Sequence, residues 1–141
     1  MVATATARWE GSLDDGSGTM TTGTGLEAGF TKASRFADGA QSNPEELVGA
    51  AHAGCFSMFL SALLSKAGTP PTSIETTAKV SLDMSGPAPR IGKIALTTVG
   101  DVDGISAEDF QAKAEEAKEN CPISAALAAV PEVTLKASLK S

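Results

Sequence analysis

Several stretches of the chain alternate between apolar and polar residues, and this period of two predicts β-strands. The clearest alternation lies at residues 74–82 and 133–139, and a further strand is expected at 91–99, after a Gly-Pro-rich turn at 86–89. Near the N-terminus, β-prone runs at 5–12 and 19–24 flank the turn-prone segment 14–18 and predict a hairpin. A third short strand is expected at 33–36.

One long helix is predicted between these groups of strands. Asn43 is a favourable N-cap, Pro44 suits the first helical position, and two acids then complement the positive end of the helix dipole. Apolar residues recur every three or four positions as far as Leu63, and the helix is expected to end near Lys66, before Gly68 and two prolines. Because its faces are almost all apolar, we expect it to be covered by sheet, by another helix or by a partner subunit.

Two further helices are predicted towards the C-terminus. Ser106 is expected to cap a helix that ends near Asn120, and Cys121-Pro122 begins a short helix that continues to about Ala129. The order βββ-α-ββ-αα-β predicts an α+β fold, with helices packed on a mainly antiparallel sheet. At this length we expect a single domain over residues 1–141.

Charge and composition then exclude several classes of function. The chain has 17 acidic and 11 basic residues, so its net charge of −6 argues against binding nucleic acid or an anionic membrane. It has neither a secretory signal pattern nor about 18 consecutive apolar residues, so we expect a cytoplasmic protein without a membrane span. With two cysteines and one histidine, we expect free thiols and no metal site.

Both cysteines are candidates for chemistry, and each has a plainer interpretation. Cys55 lies in the middle of the long helix, either as an inert buried thiol or as a nucleophile that needs a neighbouring cation or hydrogen-bond donor. His52 shares its helix face, but side chains three residues apart rarely align for proton transfer, so a packing role is favoured. Cys121 at a helix start is either an ordinary cap or a thiol activated by free N–H groups.

Two segments together resemble a known family. Asn-Pro-Glu-Glu-Leu-Val-Gly-Ala-Ala-His-Ala-Gly-Cys-Phe-Ser-Met at 43–58 and Cys-Pro-Ile-Ser at 121–124 are similar to the OsmC branch of the OsmC/Ohr hydroperoxide reductases. The resemblance extends over essentially the whole chain. It implies that Cys55 is the peroxidatic cysteine and Cys121 the resolving one, that Arg35 stabilises the thiolate and polarises the peroxide, and that Glu45 orients Arg35.

The same resemblance implies antiparallel sheets around a long central helix and an intertwined homodimer with active sites at its interface. It implies an organic hydroperoxide as substrate and a dithiol as reductant, with a lipoyl-type dithiol as one candidate, and no cofactor. An apolar site wall would favour organic over inorganic peroxides. The candidates for that wall are Phe36, Phe56, Met58 and Phe59, each of which is equally a candidate for the core.

Helix geometry adds a prediction about the dimer. Glu45 precedes Cys55 by ten residues, which is about 15 Å along a continuous helix. Glu45 therefore cannot touch Cys55 of its own chain, whereas two such helices packed antiparallel across a two-fold axis would bring them together. We predict composite sites, with Cys55 and Cys121 from one subunit and Arg35 and Glu45 from its partner.

Three other functions fit the same residues. The cysteine pair would also serve a thiol redox sensor without turnover, and only catalysis with a reductant separates the two. A dimer that binds an apolar ligand would keep its cysteines for structure alone. A metalloenzyme built from Cys55, His52 and carboxylates is the least favoured.

Overall fold

The computed structural model describes residues 1–141 and contains ten helices and strands. In chain order they are β1 (Ala5–Glu10), β2 (Ser17–Thr22), β3 (Glu27–Phe30), α1 (Lys32–Phe36), α2 (Pro44–Lys66), β4 (Ser73–Asp83), β5 (Arg90–Asp101), α3 (Ala107–Asn120), α4 (Pro122–Ala126) and β6 (Glu132–Leu139). The α+β prediction is confirmed. The residues cluster into two units, Met1–Leu47 and Val48–Ser141, and the interpretation of residues 1–141 as one domain stays a prediction.

The N-terminal unit contains an antiparallel sheet in the order β1-β2-β3. Its register pairs Ala5 with Thr22 and Glu10 with Ser17, so the turn after β1 closes the predicted hairpin. The Trp9 and Phe30 rings pack against each other across this sheet, with centroids 5.4 Å apart. This aromatic pair gives the small sheet an apolar face.

The prediction of a third strand at 33–36 is wrong, because these residues belong to helix α1. Thr31 begins the helix with a reciprocal cap: its hydroxyl accepts from the Ser34 backbone N–H at 3.1 Å, and the Ser34 hydroxyl accepts from the Thr31 N–H at 2.8 Å. The Ser34 hydroxyl also donates to the Ser42 carbonyl at 2.6 Å. These side-chain bonds favour a helical turn over an extended strand, and the actual third strand ends earlier, at Phe30.

The C-terminal unit packs helices on a second sheet, in the order β4-β5-β6. Strands β4 and β5 are antiparallel and β5 and β6 are parallel, with α3 and α4 in the connection between them. Three of the four strand pairings in the protein are therefore antiparallel, as predicted. The core draws on α2, β5 and α3 and consists mainly of Phe56, Leu60, Leu64, Ile94, Leu96, Phe110, Ala114 and Ala117, all at most 1% exposed.

Helix α2 has the predicted bounds, but its residues after Leu47 are buried along one stripe only. Phe56, Leu60 and Leu64 lie in the core at spacings of four. The opposite stripe is exposed in the single chain and consists of Ala50, Ala51, Gly54, Met58 and Ala62. The sheet and the other helices leave this face uncovered, and its cover by a partner subunit stays a prediction.

The same helix is long and apolar enough to cross a membrane by length and composition, with a mean hydropathy of 1.7 over 18 residues. The sequence has no uninterrupted run of about 18 apolar residues, because small and weakly polar residues interrupt the helix. These residues leave its mean hydropathy high. The core helix of a water-soluble protein passes the same test. Its contacts with the core make α2 a core helix rather than evidence for a membrane span.

Helices α3 and α4 begin as predicted. Ser106 caps α3 by accepting a hydrogen bond from the Asp109 N–H at 3.0 Å, and the helix ends at Asn120. Helix α4 starts at Pro122 and stops at Ala126, earlier than the predicted end near Ala129.

Candidate active site

Cys55 and Cys121 are 66 positions apart in the chain, and the fold brings their thiols together. Cys55 lies in the middle of α2, half-buried, and packs against the core to which Cys121 belongs. Its thiol interacts with the Cys121 thiol and with the backbone N–H of Ile123. Both cysteines are free thiols, so the fold places a candidate nucleophile near a second thiol.

Cys121 occupies the junction between α3 and α4 and is fully buried. It is the C-cap of α3. It is also the N-cap of α4, with Pro122 in the first helical position, as the sequence predicted. Its sulfur accepts a hydrogen bond from the Ser124 backbone N–H at 3.3 Å and donates one to the Ser124 hydroxyl at 3.0 Å. The bond from the N–H is the contact by which an N-cap side chain satisfies the first turn of a helix.

The surroundings of Cys55 within the chain disfavour its thiolate. Burial raises the pKa of the Cys55 thiol, the Ile123 N–H lowers it, and the neighbouring Cys121 thiol raises it again. The pKa is raised overall, and none of these influences comes from a cation. A nucleophilic Cys55 therefore needs positive charge from another source.

Arg35 of α1 and Glu45 of α2 form the second predicted pair. Glu45 is 8% exposed, and its carboxylate accepts from Arg35 Nε at 3.1 Å and from Arg35 Nη2 at 2.8 Å. This two-point contact holds the plane of the guanidinium, which also lies 5.2 Å from the centroid of the Phe36 ring. The Arg35 side chain remains 39% exposed, so the fixed cation can still receive a ligand.

A cavity of about 370 Å³ opens beside Arg35 in the N-terminal unit. Its lining is mainly apolar, with Trp9, Leu13, Phe30 and Phe36 next to the guanidinium. Of the four predicted wall residues, only Phe36 lines this cavity. Phe56 lies in the core, Phe59 packs against the core, and Met58 is 79% exposed.

His52 contacts Ser124 rather than Cys55. The imidazole is fully buried, and its Nε2 lies 2.8 Å from the Ser124 hydroxyl. Burial lowers the pKa of His52, which favours the neutral ring, and its Nδ1 has no hydrogen-bond partner. Ser124 is not among the predicted site residues, although its position three residues after a capping cysteine is a usable signal.

The four predicted site residues thus form two pairs. Cys55 and Cys121 meet in the unit of residues 48–141, and Arg35 and Glu45 meet in the unit of residues 1–47. The first pair has the chemistry of a dithiol, and the second is an oriented cation beside an apolar cavity.

Comparisons of the sequence and of the structure with known proteins point to one protein family. A family model described as OsmC-like protein matches residues 37–136. Peroxiredoxin OsmC of Escherichia coli (strain K12) is 48% identical over 139 residues, which are 96% of this chain and 94% of that protein. Among solved structures, the organic hydroperoxide resistance protein OhrB of Bacillus subtilis superposes with a TM-score of 0.73 at 27% identity, covering 99% of this chain and 98% of the other.

A second solved structure, an organic hydroperoxide resistance protein from Elizabethkingia anophelis, gives a TM-score of 0.77 at 25% identity, covering 99% of both chains. The chain belongs to the OsmC-like protein family.

Proposed function

We propose that the protein is a thiol-dependent peroxidase that reduces organic hydroperoxides, and inorganic ones more weakly, to alcohols and water. The observation that carries the proposal is the proximity of the free thiols of Cys55 and Cys121 in the C-terminal unit, close enough for each to influence the other. The relatives support it, because one is named a peroxiredoxin and two are named for resistance to organic hydroperoxides.

The first step is attack by the Cys55 thiolate on the peroxide. The sulfur forms a bond to the terminal oxygen of ROOH, the O–O bond breaks, and the alkoxide takes a proton and leaves as ROH. Cys55 becomes a sulfenic acid, Cys–SOH. The oriented Arg35 guanidinium would stabilise the thiolate beforehand and the negative charge on the departing oxygen during attack.

Disulfide formation follows. The Cys121 sulfur bonds to the Cys55 sulfur, the S–O bond breaks, and water leaves with the thiol proton. An external dithiol then reduces the disulfide by two exchange steps and is itself oxidised to a cyclic or paired disulfide. A lipoyl-type dithiol fits this step, because both of its sulfurs are on one molecule and the second exchange is intramolecular.

We infer that each active site takes residues from two subunits. Helix α2 is continuous from Pro44 to Lys66, so Glu45 and Cys55 are held about 15 Å apart along its axis. Cys55 has a raised pKa and no cation among the groups that shift it. The exposed apolar stripe on α2 supports a homodimer in which Arg35 and Glu45 of one chain serve Cys55 of the other.

The preference for organic peroxides rests on the cavity beside Arg35. Its aromatic and aliphatic lining would bury an alkyl or aryl group, while the guanidinium faces the polar peroxide end. Hydrogen peroxide has no such group and gains nothing from the cavity. Burying a phenyl-sized group is worth about 1.5–3 kcal/mol, so we expect kcat/KM to favour an aryl hydroperoxide by at least about tenfold.

We place the protein in the cytoplasm, where the reducing environment keeps such a thiol pair available for catalysis. The sulfenic acid and the disulfide would then be short-lived intermediates of turnover rather than a resting state.

Turnover distinguishes the peroxidase from the redox sensor. Cumene hydroperoxide or hydrogen peroxide is added in large excess with dihydrolipoamide as reductant, and peroxide consumption is followed for wild type and Cys55→Ser. The peroxidase consumes many equivalents, faster with cumene hydroperoxide, and Cys55→Ser consumes none. Consumption that stops after one equivalent per chain would indicate a sensor, and no consumption with intact apolar-ligand binding in Cys55→Ser would indicate a binding protein.

A further inference from the structure

We propose that Ser124 and His52 form a proton relay that acts on Cys121 during disulfide formation. The inference rests on the proposed function and concerns its second step. Cys121 Sγ lies 3.0 Å from the Ser124 hydroxyl oxygen, and this oxygen lies 2.8 Å from His52 Nε2. The three groups form one continuous hydrogen-bonded chain, and both of its ends are fully buried.

The donors and acceptors of this chain have a consistent direction. The Cys121 thiol donates to the Ser124 oxygen, and in one of the two neutral tautomers of His52 the Nε2 atom accepts the serine hydroxyl hydrogen. The ring hydrogen then resides on Nδ1. Since burial lowers the pKa of His52, the imidazole is neutral at pH 7 and has an open acceptor at Nε2.

A purely structural role explains His52 less well. The imidazole is fully buried, and Nδ1 has no hydrogen-bond partner. An unsatisfied buried polar atom reduces stability, and an apolar residue of similar size would avoid that loss. The same imidazole is linked through Ser124 to Cys121, the cysteine predicted to resolve the sulfenic acid. There it can accept a proton, which an apolar residue cannot do.

The relay removes the Cys121 thiol proton during disulfide formation, so this step needs no external base. Cys121 passes its thiol proton to Ser124, which passes its hydroxyl proton to His52 Nε2, leaving a thiolate, a serine hydroxyl and an imidazolium. The thiolate sulfur bonds to Cys55 Sγ and the S–O bond breaks. The departing hydroxide takes a proton from the solvent and leaves as water, and His52 later gives up the relayed proton to the solvent, so the net change is thiol plus sulfenic acid to disulfide plus water.

The predicted consequence is a slower second step when the relay is broken. Single-turnover rapid quench with one equivalent of cumene hydroperoxide, with intact mass as readout, gives separate rate constants for sulfenic acid and disulfide formation. General acid–base assistance is typically worth about 100-fold or more, so we expect Ser124→Ala and His52→Gln each to slow disulfide formation, relative to sulfenic acid formation, by at least about tenfold. The two changes together should be no worse than one, because they remove the same relay.

Two further variants separate the relay from packing. Ser124→Thr keeps the hydroxyl and should restore at least half of the wild-type rate of disulfide formation. Ser57→Ala is the matched control, because the Ser57 hydroxyl, on the same helix as His52, donates to the Thr76 hydroxyl at 2.8 Å and lies outside the relay. Its disulfide should form at the wild-type rate.

The outcomes distinguish the relay from the proposed function. Disulfide formation at wild-type speed in Ser124→Ala and His52→Gln would overturn the relay and leave the peroxidase intact. An equal slowing in Ser57→Ala, or no recovery in Ser124→Thr, would also overturn it, because the effect would then follow from packing. Failure of Cys121→Ser to accumulate a Cys55 sulfenic acid would overturn the proposed function, and the relay with it.

Discussion

Arg35 and Glu45 are held to each other by charge and by geometry. The carboxylate of Glu45 is almost buried, whereas the guanidinium of Arg35 is partly exposed. Glu45 therefore anchors the pair, and Arg35 is accessible to a ligand. A single hydrogen bond would leave the guanidinium free to rotate, but the contacts from Nε and Nη2 fix its plane. In our account Glu45 is a positioning residue, and Arg35 is the group that meets thiolate and peroxide.

Glu45→Gln keeps the shape of the side chain and removes its charge. We expect kcat/KM for an organic hydroperoxide to fall about tenfold, because the guanidinium loses its fixed orientation. We also expect the free energy of unfolding to fall by about 1–2 kcal/mol, a value reduced by the partial exposure of Arg35. Peroxide turnover and urea unfolding measure the two effects.

Glu10→Gln is the matched control, because Glu10 pairs with Arg8 in a contact exposed on both sides. Removing that charge should change neither turnover nor unfolding measurably. Equal effects of the two substitutions would contradict a special role for Glu45.

Arg35→Ala should change the pH profile of Cys55. Burial raises the pKa of this thiol, so without a cation the reactive thiolate is scarce at pH 7 and increases as pH rises. We therefore expect alkylation of Cys55 by iodoacetamide in the variant to accelerate about tenfold per pH unit up to pH 9. In wild type the rate should level off at lower pH, because we propose that Arg35 stabilises the thiolate.

Arg90→Ala provides the comparison for this experiment, since Arg90 is exposed and pairs with Asp83 away from either cysteine. It should keep the wild-type profile. Coincident profiles for wild type and Arg35→Ala would show that Arg35 does not act on Cys55.

At the scale of elements, the β4–β5 hairpin is closed by a cluster around Asp83. The Asp83 carboxylate accepts from the Ser85 hydroxyl, from the Ser85 backbone N–H at 2.9 Å and from Arg90 Nε at 3.1 Å. These bonds, with Ser85 as the largest influence, lower the pKa of Asp83 from 3.8 to about 2. The carboxylate therefore stabilises the turn while it is ionised.

The sign of this effect gives a prediction for acid unfolding. Because the folded-state pKa is below the unfolded value, the stabilisation is complete above about pH 3.8 and is lost as pH falls towards 2. Asp83→Asn should lower the urea midpoint at pH 6, and the difference from wild type should shrink steadily from pH 4 to pH 2. A difference that stayed constant over this range would mean that ionisation of Asp83 does not stabilise the hairpin.

The sequence predicted the elements best where capping residues mark them. Asn43-Pro44 and Ser106 place the starts of α2 and α3 correctly, because their side chains satisfy helix N–H groups locally. The strand predicted at 33–36 is wrong, since these residues belong to helix α1. Its cap, Thr31 with Ser34, lies in a segment whose composition otherwise favours extended structure. The parallel pairing of β5 with β6 depends on how α3 and α4 cross the sheet, which no local pattern specifies.

For the whole molecule, the resemblance supplied the four candidate site residues, and the structure supplied the side chains that they contact. The cavity beside Arg35 joins Trp9, Leu13 and Phe30 from separate segments, so only the tertiary structure identifies it. Ser124 has a local signal in its spacing from the capping Cys121, but its contact with His52 spans 72 positions and depends on the tertiary structure. Spacing in sequence places residues on one element, whereas contacts of this kind depend on packing.

Mixed dimers test whether the sites are shared between subunits. Neither Cys55→Ser nor Arg35→Ala should be active alone, but a mixed dimer of the two has one complete composite site, with Cys55 from one chain and Arg35 from the other. With random exchange of subunits we expect about a quarter of wild-type activity. Measuring peroxide turnover before and after unfolding and refolding the mixture gives the answer.

The matched control mixes Cys55→Ser with Cys121→Ser. Both cysteines are proposed to act within one chain, so no mixed dimer has a complete site and activity should not return. Lack of recovery in the first mixture, with proof that mixed dimers form, would place Arg35 and Cys55 in the same subunit's site.

The most direct measurement is the intact mass of the reduced protein after one equivalent of cumene hydroperoxide, with wild type beside Cys121→Ser. We predict that wild type loses two hydrogens, as a Cys55–Cys121 disulfide forms, and that the variant gains one oxygen, as Cys55 stops at the sulfenic acid. An unchanged mass in both proteins would contradict it and leave the cysteines with a structural role.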